Sequence, residues 1–276
     1  YVGTHKIQQT SKNELIRMMV DRDLTEQFPK KPVERGEEIL RVEDLHIDKK
    51  LSNINFSLHR GEVLGISGLL GSGRTELARA IFGADKIDTG RIYVKGALQN
   101  IKSPRHSINL GIGLLTEDRK SQGLILDLSL KDNICLPNLD QFSKGGVVSS
   151  NKENKTATKY IDELRIKTPG LHQKVLYLSG GNQQKVVISK WLCSNADILI
   201  FDEPTRGIDV GSKVEIYQLM NQLTAHGAAI IMISSELPEI LGMSDRILVM
   251  HHGKINGEFL AEDATQENIL HCALGV

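Results

Sequence analysis

Apolar and polar residues follow two different periods along this chain. The segments "ILRVEDL" from Ile39 and "LSNINFSL" from Leu51 place apolar residues at about every second position, which predicts antiparallel strands with one buried face. Other runs are short and almost wholly apolar. These runs predict fully buried strands at Glu62–Ser67, Ala196–Pro204 and Ala228–Glu236.

Helical periodicity follows these buried strands. In "RTELARAIFG" the apolar residues Leu77, Ala80 and Ile81 share one helix face. Further helices are predicted for "VVISKWLC" and for "SSNKENKTATKYIDELRI", where a polar capping cluster precedes a face that carries Tyr160 and Leu164. Strands that alternate with helices in this way predict an α/β fold.

Length and charge narrow the class of protein. The chain has 276 residues, enough for one large domain or two small ones, and 34 Lys and Arg are balanced by 34 Asp and Glu. A net charge of zero argues against a protein that binds the backbone of DNA or RNA, so no nucleic-acid partner is predicted. No apolar run approaches the ~20 residues that span a bilayer. Metal-ligand spacing is lacking among the cysteines Cys135, Cys193 and Cys272.

The two ends of the chain resemble each other. Tyr1–Asp21 aligns without gaps on Ile255–Gly275, and each segment reads as a strand end, a polar turn and a short helix. We expect residues 1–26 to be the C-terminal tail of a preceding copy of the domain, and residues 27–37 to be a polar linker. Residues 38–276 then form the main domain. Chance similarity of two strand–helix units is the alternative.

The stretch "GLLGSGRTE" lies between a predicted strand and a predicted helix, and it nearly fits the phosphate-binding pattern G-x-x-x-x-G-K-[ST]. Backbone N–H groups of such a loop, at the start of the following helix, form an anion cradle. Arg74 occupies the lysine position, so a tight glycine turn is the alternative for this stretch alone. The candidate nucleotide-binding residues here are Gly68, Leu69, Leu70, Gly71, Ser72, Gly73, Arg74, Thr75 and Glu76.

Later stretches favour a nucleotide site. "ADILIFDEP" ends in Asp202 and Glu203; at the edge of a strand the first can hold Mg²⁺ and the second can polarise an attacking water. "LSGGNQQK" leaves amides free at a helix start, which is a second phosphate-type nest. "TRGIDVGS" is a polar turn that contains Asp209. Each stretch alone could be a structural turn, and it is their order and spacing that favour one family.

In this order the motifs resemble those of the nucleotide-binding domain of ATP-binding-cassette (ABC) ATPases, from Glu38 to the C-terminus. "LSGGNQQK" is similar to the ABC signature. Together with it, "EDRK", "DEPTRGIDVG" and "SSELPEILGMSDRILVM" resemble the ATPase subunits of bacterial importers for ribose, galactose and xylose, which carry two cassettes in one chain. The resemblance implies a P-loop NTPase fold with a RecA-like core sheet, an antiparallel β subdomain and a helical subdomain inserted at about residues 119–190.

The resemblance also implies an activity and a set of partners. The activity is ATP hydrolysis, with ATP and Mg²⁺ bound, coupled to import of a monosaccharide. The partners are a first cassette in the same chain, a membrane permease and, indirectly, a periplasmic or extracellular sugar-binding protein. The location is the cytoplasmic face of the inner or plasma membrane, in peripheral association. The permease contact is expected at Glu117–Asn133, where a solvated helical hairpin is the alternative.

Motif matching assigns roles to individual residues. It gives Mg²⁺ binding to Thr75 and Asp202, the catalytic carboxylate to Glu203 and the D-loop position to Asp209. In this family each nucleotide lies between the phosphate loop of one cassette and the signature of the other. The signature residues expected to face the nucleotide of the partner cassette are Leu178, Ser179, Gly180, Gly181, Asn182 and Gln183.

Several positions depart from the family pattern. Arg74 replaces the phosphate-loop lysine, Glu117 stands at the nucleotide-facing Q-loop glutamine, and Ser235 stands at the catalytic switch histidine. Glu117 would add negative charge near the γ-phosphate. Ser235 has no imidazole to contact the γ-phosphate, and loss of one preorganised contact of this kind typically lowers the rate of hydrolysis by ~10²–10³. We therefore expect this phosphate loop to bind nucleotide and hydrolyse it slowly. A soluble ABC ATPase without a permease and a non-catalytic nucleotide-sensing dimerisation module are the alternative functions.

Overall fold

The structure is a computed structural model, and it describes residues 27–276. The N-terminal copy of the predicted repeat, Tyr1–Asp21, lies outside the described residues. The C-terminal copy forms a strand and a capped helix, as its pattern predicts.

Strands and helices alternate along most of the described chain. The strands are β1 (Glu38–Ile47), β2 (Leu51–His59), β3 (Val63–Gly68), β4 (Thr89–Val94), β5 (Ala97–Gln99), β6 (Ile112–Leu115), β7 (Ser143–Lys144), β8 (Val147–Val148), β9 (Ile198–Asp202), β10 (Ala229–Ile233), β11 (Arg246–His251) and β12 (Lys254–Leu260). The α-helices are α1 (Arg74–Ile81), α2 (Pro104–Asn109), α3 (Leu130–Cys135), α4 (Leu139–Phe142), α5 (Ser150–Glu163), α6 (Gly180–Cys193), α7 (Val210–Ala225), α8 (Leu237–Met243) and α9 (Gln266–Leu274). Short helical turns of other types occupy Arg119–Gly123, Leu136–Asn138 and Val175–Tyr177.

The central sheet has the strand order β12-β11-β3-β10-β9-β6. Its inner strands are parallel, and β10 lies between β3 and β9, with Ile230 opposite both Val63 and Leu199. Every residue of β9 and β10 is buried, which explains their continuous apolar sequence. The carboxyl ends of the parallel strands therefore meet at one edge of the sheet, where ligands bind in open α/β sheets.

The second sheet is antiparallel, with the order β2-β1-β4-β5. Its alternating sequence pattern predicted this arrangement, and Leu40, Val42 and Leu45 of β1 are fully buried against the rest of the domain. β1 pairs with both β2 and β4. An antiparallel β subdomain beside a parallel core sheet is thus confirmed.

The predicted helical insertion lies between the turn at Arg119–Gly123 and the end of α6. α3, α5 and α6 pack on one another. A two-stranded hairpin of β7 and β8, which the sequence did not predict, connects α4 with α5. The Trp191 side chain is buried at the end of this unit, edge-on to Phe82 at 5.5 Å between ring centroids. Trp191 is therefore a core residue.

The segment predicted as a polar linker packs against the domain from Phe28 to Gly36. The Phe28 ring lies 5.6 Å from the Tyr217 ring of α7, and Lys30 forms an ion pair with Asp245 at 2.7 Å. Gly36 donates its N–H to the Arg60 carbonyl at 2.9 Å. Within residues 27–276, no helix combines the length and the apolar character needed to cross a membrane.

Candidate functional site

The glycine loop connects the end of β3 with the start of α1. Gly73 caps the helix with φ 102°, and its N-cap position has no side-chain hydrogen bond, so the first-turn N–H groups point to the loop without an intrahelical partner. Gly68 has no room for a side chain, because a Cβ there would lie 2.5 Å from the Met250 carbonyl oxygen. The strand, loop and helix therefore have the geometry of an anion cradle.

The rim of this loop is apolar and its floor is polar. Leu70 is 99% exposed and Leu69 is also exposed, whereas Ser72 is buried. The Ser72 hydroxyl has no hydrogen-bond partner, although its oxygen is buried. A buried hydroxyl without a partner is costly unless a ligand satisfies it.

The Arg74 side chain is buried and contacts residues outside the loop. Its guanidinium donates to the Ser234 carbonyl oxygen at 2.8 Å and lies 4.0 Å from a Glu203 carboxylate oxygen. Burial lowers the pKa of Arg74, and the nearby Glu203 opposes this shift. The arginine at the lysine position thus already has protein partners at the end of β10 and at the acid pair.

Two carboxylates follow one another at the end of β9. Asp202 is 2% exposed, and one of its oxygens has no hydrogen-bond partner. Burial raises the pKa of Asp202 to about 6, while a hydrogen bond from Thr75 acts in the opposite direction. Burial also raises the pKa of Glu203, against a hydrogen bond from Ser235 at 3.1 Å. The structure therefore brings together Thr75, Asp202, Glu203 and Ser235.

Glu203 adopts a backbone conformation that is uncommon for a residue with a side chain, with φ 50°. Its N–H donates to the Ile233 carbonyl at 2.9 Å, which fixes this turn against the end of β10. Such strain is typical of functional sites, where the surrounding structure holds it in place.

The oxygen atoms at this edge fit a hard divalent cation. The unpartnered Asp202 oxygen, the Thr75 hydroxyl and the buried Ser72 hydroxyl are the oxygen donors that Mg²⁺ prefers, and Mg²⁺ usually retains waters and phosphate oxygens as well. The residues present therefore fit a Mg²⁺–nucleotide complex, with the loop amides placed for phosphate.

Glu117 does not stand free beside the acid pair. Its carboxylate forms an ion pair with the Arg206 guanidinium, three residues beyond Glu203. This pairing offsets the negative charge that the sequence alone would place near the phosphate. The sequence offered no signal for it, because the partners are far apart in the chain.

The signature residues form the start of α6. The Ser179 side chain is exposed and caps the helix, accepting from the Asn182 side chain at 2.9 Å. Gln183 and Leu178 are buried, and the Gln183 amide donates to the Val175 carbonyl at 3.1 Å. A Cβ on Gly181 would lie 2.6 Å from the Ser212 Cβ, so α6 starts in close contact with α7.

Asp209 caps the neighbouring helix α7. Its carboxylate accepts from the Ser212 N–H at 2.9 Å and from the Ser212 hydroxyl at 2.7 Å. These hydrogen bonds lower the pKa of Asp209, which keeps the cap ionised. The signature and the D-loop position are therefore neighbours, because the Gly181 backbone lies against Ser212, the residue that Asp209 caps.

Sequence reasoning missed Glu239. This carboxylate is 1% exposed and accepts hydrogen bonds from Tyr217 at 2.5 Å, from Ser234 at 2.7 Å and from Thr205. It thereby joins the turn after the acid pair to the end of β10, whose Ser234 carbonyl holds Arg74. The sequence did carry one signal for it. Glu239 lies one turn before the apolar Met243 in α8, so the two side chains share a helix face, and both are buried.

Comparison with known proteins agrees with this geometry. Residues 51–206 match the family described as ABC transporter. The chain is 50% identical over 275 residues to the ribose import ATP-binding protein RbsA of Geobacillus kaustophilus, and 52% identical over 282 residues to the xylose import ATP-binding protein XylG of Thermoanaerobacter pseudethanolicus. These matches cover 100% and 99% of this chain, which spans 56% of the length of each relative.

A solved structure supports the fold. A nucleotide-free ATP-binding cassette from an ABC transporter superposes with a TM-score of 0.73 at 23% identity, covering 87% of this chain and 96% of that one. The phosphate cradle, the acid pair and the signature helix lie on a fold of that kind, and the family match spans more than half of the chain. The chain therefore belongs to the ABC transporter family and has the fold of its ATP-binding cassettes.

Proposed function

We propose that this chain is the second of two cassettes in an ATPase subunit that powers the import of a monosaccharide. The observation that carries the proposal is the oxygen-rich edge of the core sheet, where a buried oxygen of Ser72 in the glycine loop and one of Asp202 at the end of β9 lack hydrogen-bond partners. Mg²⁺-ATP is the substrate that satisfies both the loop amides and these oxygens. Glu203, with its raised pKa and its hydrogen bond from Ser235, is the candidate group to polarise the attacking water.

The proposal gives this cassette's own site a weakened catalytic role. Arg74 binds the Ser234 carbonyl and approaches Glu203, so its charge is already shared with protein groups before phosphate arrives. A planar guanidinium also does not replace a compact ammonium at a fitted position. Ser235 offers a hydroxyl where an imidazole would reach the γ-phosphate. Nucleotide binding with slow hydrolysis follows from these contacts.

The signature at Ser179–Gln183 acts on another site in this proposal. The exposed Ser179 hydroxyl and the free amides at the start of α6 are available for the phosphate of a nucleotide held by a first cassette. Residues 1–26 would be the tail of that cassette, because they repeat the pattern of the strand and helix at the C-terminal end. The site with the intact phosphate loop would then hydrolyse ATP faster.

The remaining assignments rest on the named relatives. RbsA and XylG are named as ribose and xylose import ATP-binding proteins. We propose a membrane permease as the partner here, with the cassette bound peripherally at the cytoplasmic face of the membrane. The permease would contact the segment Glu117–Asn133, and the sugar-binding protein would act through the permease.

The test uses the full two-cassette protein with its permease. Ser179→Arg should abolish transport and ATPase activity, because a bulky charge would enter the competent site. Arg74→Ala and Glu203→Gln should leave a substantial part of both, because they alter only the weakened site. Asn151→Arg, an added charge at the exposed start of α5, is the control. If Glu203→Gln abolishes turnover and Ser179→Arg is mild, the hydrolytic site lies in this cassette.

The isolated chain provides a second test. Its steady-state rate at saturating Mg²⁺-ATP should stay well below the ~10 s⁻¹ that is typical of enzymes. A rate at or above that value would contradict the weakened site. Absence of ATPase activity in the two-cassette protein would favour the nucleotide-sensing module instead.

A further inference from the structure

Arg119 lies in the helical turn between the Q-loop position and the helical insertion. Its side chain is 9% exposed, and its two terminal nitrogens donate to the Arg206 carbonyl at 2.7 Å and to the Gly207 carbonyl at 3.1 Å. Both carbonyls belong to the turn that connects Glu203 with Asp209. The guanidinium therefore fixes the backbone of that turn from a distant part of the chain.

The same guanidinium touches the start of the signature helix. A Cβ on Gly180 would lie 2.7 Å from an Arg119 nitrogen and 2.9 Å from the Gly207 carbonyl oxygen. Signature, turn and guanidinium are thus in van der Waals contact, and only glycine fits at position 180. A shift of the turn would have to be transmitted to the signature, because close-packed groups do not deform independently.

A second contact joins the same two segments. The Glu117 carboxylate pairs with the Arg206 side chain, while Arg119 binds the Arg206 backbone. The ion pair is exposed on both sides, and exposed pairs contribute little to stability. The buried guanidinium is the stronger of the two contacts, since burial removes competing water and its fork binds two carbonyls at once.

We propose that Arg119 is a positioning residue that holds the signature and the Asp209 turn in one geometry, so that both are presented together to the nucleotide of a partner cassette. The proposal rests on the proposed function, in which the signature acts on a first cassette. Within the described residues, the Arg119 side chain donates its hydrogen bonds to the carbonyls of Arg206 and Gly207 and not to Asp202 or Glu203. Its loss should therefore lower turnover at the partner site and leave nucleotide binding at its own site unchanged.

The experiment compares Arg119→Met and Arg119→Lys with Lys152→Met in the full two-cassette protein. Lys152 is an exposed lysine in the first turn of α5, so its substitution removes one positive charge from the helical insertion outside Glu117–Asn133. Arg119→Met should lower kcat about 10- to 100-fold, the range expected when a supporting contact is lost, with KM for Mg²⁺-ATP changed less than about twofold. Arg119→Lys should recover part of kcat, because one carbonyl contact remains possible, and Lys152→Met should match the wild type.

A double variant separates positioning from general destabilisation. If Arg119 acts through the signature, Arg119→Met should lower kcat much less in a Ser179→Ala background than in the wild type. Equal losses in both backgrounds, or a rise in KM that accounts for the loss in kcat/KM, would overturn the proposal. Arg119→Met behaving like Lys152→Met would also overturn it. If Ser179→Ala itself leaves kcat unchanged, the proposed function fails instead, and this proposal fails with it.

Discussion

The buried carboxylate of Glu239 leads to a sharp prediction through Tyr217. Both side chains are 1% exposed, and the phenol donates to the carboxylate at 2.5 Å. Tyr217→Phe keeps the shape of the side chain and removes only this donor. A hydrogen bond to a charged group contributes about 1.5–3 kcal/mol, so the free energy of unfolding should fall by about 2 kcal/mol.

The effect should depend on pH with a defined sign. Burial raises the pKa of Glu239, but hydrogen bonds from Thr205, Tyr217 and Ser234 outweigh it and leave the pKa below its usual value. A lowered pKa in the folded state stabilises the protein above the unfolded pKa of about 4.3, and this contribution is lost as the pH falls through the folded value. Removing the phenol raises the folded pKa, so the difference between the variant and the wild type should be largest near neutral pH and shrink in acid.

The assay is denaturant unfolding of this domain at about pH 7 and about pH 4, with Tyr177→Phe as the control. Tyr177 is 71% exposed, so its substitution should change stability by less than about 0.5 kcal/mol. In thermal unfolding, Tyr217→Phe should lower Tm by about 4–8 °C for a domain of this size. Equal stability of the two variants at neutral pH, or a difference that grows in acid, would refute the role assigned to Glu239.

Further substitutions test other contacts. Because the pKa of Asp202 is raised to about 6, its carboxyl is protonated in acid, and the affinity for Mg²⁺-nucleotide should fall about tenfold between about pH 7 and pH 5 in a fluorescence titration. Asp202→Asn should bind weakly at both pH values and so lose this pH dependence. The stability of the domain without ligand should depend on pH in the opposite direction. A raised carboxyl pKa makes the fold less stable as the pH rises through that pKa. Gly181→Ala should destabilise the domain by about 1–3 kcal/mol through its clash with Ser212, whereas Gly170→Ala, which meets open space, should be neutral in the same unfolding assay. Phe28→Ala should lower the free energy of unfolding by about 1–2 kcal/mol, because it removes the ring that packs against Tyr217. No change would mean that the segment from Phe28 to Gly36 does not pack on the domain in solution.

Local patterns predicted the elements that build the site. The buried strand before Gly68, the capped helix after Gly73 and the apolar strand ending in Asp202 all formed where the sequence placed them. Their apolar periodicity and glycine positions are read from neighbouring residues, which is why they are accessible without a structure. The parallel arrangement then follows, since strands joined through helices bring their carboxyl ends together.

Long-range partners could not be predicted in the same way. The contact of Arg74 with the Ser234 carbonyl and the ion pair of Glu117 with Arg206 were not predicted. These outcomes depend on which side chains the fold brings within a few ångströms. No periodicity or spacing encodes that distance for residues 87 to 160 positions apart, such as Arg119 and Arg206 or Arg74 and Ser234.

The packing of residues 28–36 sets the point from which a preceding cassette would be tethered. Phe28 contacts Tyr217 of α7 and Lys30 pairs with Asp245, so such a tether would begin just before Phe28. The first cassette proposed above, joined by a short tether at that point, would have an effective concentration on the order of millimolar. Its encounter with the signature face would then be a first-order event whose rate does not change on dilution. Nucleotide would need only to stabilise an arrangement that the tethered cassettes already sample.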